Sequence, residues 1–426
     1  MEELMHYIWK HRLIPEMGLM TNDGRKIRVI DPGLHNTDAG PDFFNAKVEI
    51  DGTMWVGNVE MHVRASDWRR HGHDKDKAYD NVVLHVVQKD DAPTYTTAGE
   101  LIPQMVLEVS PLFYDRYTDL TGSKEELPCS QKLPSIPSLV ITEWIQALAF
   151  ERLHDKVERL NRLSELTSGN REEVCYITLA RTLGFGLNGD AMERLARATP
   201  LRLLHKHSDS LQQLEALLLG QAGLLGGTDS TDVYQRTLAR EYAFLRNKFS
   251  LTPMEASSWR LFRIRPQSFP YRRIALLAQF VCGGFNLLRQ IIETKDEEAL
   301  RDLFHVELTG YWTNHYCFGA ASAVSSQALS EASVNIVLIN TVAPLLYAHA
   351  EATGDFDMSD RAIALLESLP PERNAVTRLF EQAGIICDDA LTSQALIQLR
   401  RNYCETRKCI YCRIGHRLLA KAATTP

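Results

Sequence analysis

The 426 residues are 45% hydrophobic and 24% charged, proportions that exclude a disordered or fibrous protein. Such a length exceeds what one core usually organises, so two domains are expected. With a formal net charge of -7 the chain is not globally basic, and a nucleic-acid partner would need a local basic face.

The opening residues, MEELMHYIWKHRL, place apolar side chains at helical spacing and carry acids, so they read as a short amphipathic helix and not as a secretory signal. Apolar runs at 216–225 and 336–347 are interrupted or fall short of the roughly 20 residues that span a bilayer. A cytoplasmic protein with no membrane partner is expected, its eight Cys being thiols or metal ligands and not disulfides. Next, 19–21 and 26–30 flank Asn22-Asp23-Gly24, a strand-turn-strand signal. Strands are also expected at 43–50, 54–64, 82–87 and 105–109, the first two joined by a tight turn at Asp51-Gly52. Period-2 alternation puts Trp55, Gly57, Val59, Met61 and Val63 on one face and Asn58, Glu60, His62 and Arg64 on the other. Strands mixed with helices give an α/β domain over 1–120. Gly122, Pro128, Pro134 and Pro137 mark a linker at 121–137. From 138 to 426 helical periodicity runs almost throughout, with one helix expected across 272–294, so this part is an all-α domain.

Asp42 at a strand start, a hairpin, and Glu60 on the adjacent strand set two carboxylates side by side, the arrangement that holds a Mg²⁺ or Mn²⁺ ion against a phosphate. His62, two residues on and on the same face, is placed to orient or deprotonate water. His71 and His73 form a supporting His-Gly-His loop that binds metal or contacts the phosphate backbone, while His85, inside an apolar strand, reads as core. The run Trp259 to Arg273 interleaves Arg260, Arg263, Arg265, Arg272 and Arg273 with four aromatics, a composition suited to DNA or RNA. Near the end, Cys404, Cys409, Cys412 and His416 have the spacing of a tetrahedral zinc site, and an iron–sulfur cluster completed by a distant thiol such as Cys387 is the alternative.

The stretch 40–90 resembles the core of the PD-(D/E)xK nuclease superfamily. It is similar in particular to the very-short-patch-repair type, through Trp68 and His71-Gly72-His73. That resemblance implies a restriction-endonuclease-like mixed sheet and metal-dependent phosphodiester hydrolysis. Where the superfamily pattern usually has Lys, this chain has His62, so the alternative is a non-catalytic nucleic-acid-binding or assembly protein on the same fold. Across both domains the stretches AGPDFFNAKV, GNVEMHVRASDWRRHGH, AYDNVVLHVV, RIRPQSFPYRRIALLA and SQALIQLRRNYC resemble a bacterial family of unknown function, which leaves the activity to be argued from the site.

Overall fold

Asp51 and Gly52 both adopt positive φ, 47° and 78°, the geometry that closes a two-residue hairpin between strands of right-handed twist. The computed structural model in which this turn is seen describes residues 1–14, 18–226, 230–264, 268–319, 321–322 and 327–423. The chain divides into two units, Met1–Trp144 together with Leu399–Pro426, and Ile145–Gln398.

In the first unit, helix α1 (Glu2–Lys10) is followed by strands β1 (Ile27–Asp31), β2 (Leu34–His35), β3 (Phe43–Ile50) and β4 (Thr53–Arg64). Short helix α2 (Asp67–Arg70) and two 3₁₀ turns then lead to β5 (Val82–Lys89), β6 (Gln104–Val106) and helix α3 (Pro111–Gly122). The sheet runs β1-β3-β4-β5-β6, with β2 paired to β3. The β1–β3 and β3–β4 pairs are antiparallel, and β4–β5 and β5–β6 are parallel. A parallel pair needs a crossover long enough to return the chain, and the α2 segment supplies it. The 19–21 arm expected as a strand makes isolated bridges only, Met20 to Lys26 and Thr21 to Met105.

β4 departs from the expected one-sided alternation. Every residue from Gly57 to His62 is buried, because this strand lies between β3 and β5 and is covered on both faces. On one side, α1 buries Leu4, Met5, Tyr7, Ile8 and Trp9, and the Trp9 indole N–H donates to Pro32 O at 3.0 Å. Residues 123–125, within the expected linker, are tied to the end of the chain: Arg407 Nη2 donates to Ser123 O at 2.8 Å and to Glu125 O at 2.9 Å.

The second unit is helical and built on one large apolar core. The helix expected across 272–294 is two, Pro270–Val281 and Leu287–Glu293. Between them Gly283 and Gly284 take φ of 81° and 108°, which end a right-handed helix. Glu331–Thr353 is long and apolar enough to cross a membrane by length and composition, more than the shorter run read from the sequence, and 56% of its most apolar window is buried inside the protein. Leu338–Val342 within it is a π-helical turn. Pro344 follows at once; it lacks an N–H and crowds the carbonyl four residues back, which loosens the ladder locally.

Candidate functional site

At the head of the β3–β4 hairpin, backbone pairing decides which side chains meet. Phe43 pairs with Val59, so Asp42 arrives beside Glu60 and Met61. Each carboxylate accepts an N–H from the opposite strand: Asp42 N donates to Glu60 Oε2 at 3.1 Å and Met61 N to Asp42 Oδ2 at 2.9 Å. From α1, His6 Nε2 lies 3.1 Å from Asp42 Oδ2, an electrostatic contact whose angles fall outside hydrogen-bond geometry.

Glu60 Oε1 faces two imidazoles, with His73 Nε2 at 3.4 Å and His62 Nε2 at 3.6 Å. The α2 segment carries His71 and His73 back over β4, and Gly72 between them takes the left-handed φ of 80° that this reversal needs. One ligand atom from each of His62, His71 and His73 falls within 4.8 Å of the other two, close enough for one metal ion. Tyr79 stacks on His73 with ring centroids 3.8 Å apart, and Trp68, fully buried, stands edge-on to both His62 and His73. The five candidates from 42 to 73 therefore form one cluster.

His62 has both ring nitrogens engaged, Nδ1 with His85 Nε2 at 2.9 Å and Nε2 with His71 Nδ1 at 3.1 Å. His85 is core, as expected, being completely buried, yet it joins the cluster through His62. Its Nδ1 has no partner. A buried N–H without an acceptor costs more than a bare lone pair, so the favoured tautomer has His85 donating from Nε2 and His62 in turn donating to His71. A chain of three imidazoles thus leads from the core toward solvent, since His71 is exposed.

Electrostatics separates the acids from the bases. Burial, with the Asp42 charge adding to it, pushes the Glu60 carboxyl up to about 9, while the Asp42 N–H works against the rise. Burial and the neighbouring His73 and His71 push His62 down to about 4. His73 is lowered, and His85 lies well below the ordinary imidazole range, burial leading in each. The ordinary order is thereby inverted, the Glu60 carboxyl holding its proton and the imidazoles standing neutral as acceptors, a division suited to acid–base work. On another side of His6 lies a cavity of about 260 Å³ whose lining includes Lys10, His11, His35, Arg413 and His416.

The arginine run does not form the expected face. Arg272 and Arg273, in helix Pro270–Val281, are 5% and 9% exposed and lie over the rings of Tyr316 and Phe185. Burial lowers Arg273 to about 10. An apolar helix face at 270–281 draws both residues inward, which removes them from a phosphate-facing surface. Arg260 and Arg263 remain exposed, Arg263 beside the exposed Phe262, and Arg265 lies outside the described residues. At the C-terminus, Cys404, Cys409, Cys412 and His416 are not gathered within 4.8 Å of one another among the described residues, and His416 Nδ1 meets the Tyr7 hydroxyl at 2.6 Å. Cys387 belongs to the helical unit, and its charged neighbours are Glu381, Asp389, Asp388 and Arg373.

Sequence reasoning missed His6 and Tyr79. No local signal marks His6, which reaches the site by packing, whereas the aromatic at 79 could have been read as a partner for the histidine loop.

A family profile matches residues 2–375, a stretch that contains the whole histidine–carboxylate cluster and stops before Cys404. The chain belongs to that family, Protein of unknown function (DUF2851). No curated protein and no solved structure matches the chain.

Proposed function

We propose that the first unit is a metal-dependent phosphodiesterase acting on DNA or RNA. The observation that carries this reading is the clasped pair Asp42 and Glu60 with three imidazoles against it, at the open end of a hairpin. An antiparallel β3–β4 pair followed by a helical crossover to a parallel β5 supports the restriction-endonuclease-like core that the resemblance implies. A Mg²⁺ or Mn²⁺ ion held by Asp42 and Glu60 would supply Lewis-acid stabilisation of charge on the phosphoryl group. The donor set fits such an ion, because the Asp42 and Glu60 carboxyl groups lie together, the cation would displace the proton that burial keeps on Glu60, and neutral imidazoles stand 3.4 and 3.6 Å from Glu60 Oε1. His6 stands against Asp42, His73 exchanges a proton with the attacking or leaving oxygen, and His62, bonded to His71, links the site to the end of the imidazole chain that meets solvent. Lys10 and Arg413 on the nearby cavity offer cations to the phosphate backbone.

The assay is cleavage of single- and double-stranded DNA and of RNA by purified protein with Mg²⁺, with Mn²⁺ and with chelator. Metal-dependent cleavage is expected, lost in Asp42→Ala and Glu60→Ala, reduced about 10²-fold in His62→Ala, and kept in Asp119→Ala, where the side chain is exposed on α3. A second reading, a non-catalytic nucleic-acid-binding protein, draws on His62 having no free ring nitrogen. Binding without cleavage would select it and reject the first.

A further inference from the structure

The remaining cysteine chemistry points to a different atom set from the one spaced in sequence. Cys129 lies far upstream, at the entry to the 3₁₀ turn Ser130–Ser135. In the first unit it meets the three C-terminal thiols. Each of the six pairs among Cys129, Cys404, Cys409 and Cys412 is close enough for one sulfur to feel charge on the other. Bonds from guanidinium groups to backbone carbonyls hold the two segments in place. Arg407 grips the carbonyls of Ser123 and Glu125, Arg400 donates to Glu126 O, and Cys409 Sγ lies 4.0 Å from Leu120 O. All four thiols are free, and Cys404 and Cys412 are only 8% exposed.

A second observation concerns what surrounds the sulfur of Cys412. The backbone N–H groups of Ile414 and Gly415, at the start of helix Arg413–Ala423, lie close to it. The indole of Trp144, 7% exposed, lies near that sulfur, and its buried Nε1 has no hydrogen-bond partner. A buried indole N–H left unpartnered beside a neutral thiol, a weak acceptor, is costly, and a metal-bound thiolate at that place would satisfy it. Arg400, Arg407 and Arg413 supply positive charge on the same segment, Arg413 lying over the Trp144 ring at 5.2 Å.

We propose that Cys129, Cys404, Cys409 and Cys412 form a four-thiolate metal centre that fastens the 120–133 segment to the C-terminal segment of the same unit. His416 is left outside the set, because the four thiols face one another while its Nδ1 is held by the Tyr7 hydroxyl. The centre shares no ligand with the Asp42–Glu60 site and does not depend on the phosphodiesterase reading. Among the described residues the group gathered within 4.8 Å is the histidine one, so the sulfurs stand wider than a single zinc at about 2.3 Å from each would draw them. Four thiolates suit either a zinc ion or an iron–sulfur cluster, and the metal analysis separates the two.

The experiment is anaerobic purification of the full chain, followed by metal and acid-labile sulfide analysis, optical absorption and X-ray absorption at the metal edge. Iron with sulfide and a visible charge-transfer band, or about one zinc per chain without colour, each establishes the centre and names its metal. Cys129→Ser is expected to lose metal as fully as Cys409→Ser, several-fold or more, while His416→Ala keeps it. Should the Cys129 variant fail to fold, X-ray absorption of the unaltered protein still decides, with a first protein shell of sulfur alone expected. A shell of three sulfurs and one nitrogen, metal retained by Cys129→Ser, or an unaltered protein free of metal would each overturn the proposal.

Discussion

Glu215 shows how burial alone retunes a residue that no motif marks. Its carboxylate is 2% exposed in the helical unit, where Tyr234 Oη and Trp312 Nε1 donate to Oε2 at 2.7 and 2.8 Å. Burial outweighs those two bonds and raises the group from 4.5 to about 6. The folded state therefore holds this proton more tightly than the unfolded one. The associated stability is fully present below pH 4.5 and lost as pH rises through 6, a cost of about 2 kcal/mol at higher pH. Gln in its place keeps an acceptor and removes the titration. The urea midpoint of Glu215→Gln minus that of the unaltered protein is expected to grow between pH 4.5 and 7, and a flat difference would refute this account. Glu60 and His62 carry the same lesson in the sheet unit: their types and spacing were legible in sequence, but the opposed shifts between them arise from a strand buried on both faces.

Among the elements, β4 carries Glu60 and His62, and its register depends on a close approach to β5. A Cβ built on Gly57 would lie 2.4 Å from Val83 Cγ1 and 2.7 Å from Asn81 O, the carbonyl that accepts the Asn58 N–H at 2.8 Å. Backbone cannot give as a flexible side chain does. Gly57→Ala is expected to cost about 1–3 kcal/mol, read as a lowered thermal midpoint, and unchanged stability would mean that β4 and β5 are more loosely paired than described. Strand β3 was legible to its boundaries and β4 to within a residue, because alternation and the Asp51-Gly52 turn are local. The loss of the 19–21 strand and the division of 272–294 were not, since isolated bridging and a paired-glycine break depend on what neighbouring segments offer.

For the whole chain, the four-thiolate centre and the apolar helical core make separate predictions for the two units. Stripping metal with a strong chelator is expected to lower the melting of the sheet unit while that of the helical unit stays in place, as read by calorimetry with His71 and Trp144 as reporters for the first unit by NMR and fluorescence. An equal shift of every transition would contradict it. The sequence by itself determined the mixed sheet followed by helices, the Asp42, Glu60 and His62 alignment, and the thiol-rich C-terminus, because hydrophobic period, turn chemistry and ligand types are written residue by residue. Only the tertiary structure decided that His6 joins Asp42, that Arg272 and Arg273 turn inward, and that Cys129 meets Cys404, Cys409 and Cys412 where His416 had been expected. Each of those is a meeting of segments far apart in the chain, selected by which faces must leave water, and no local pattern records it.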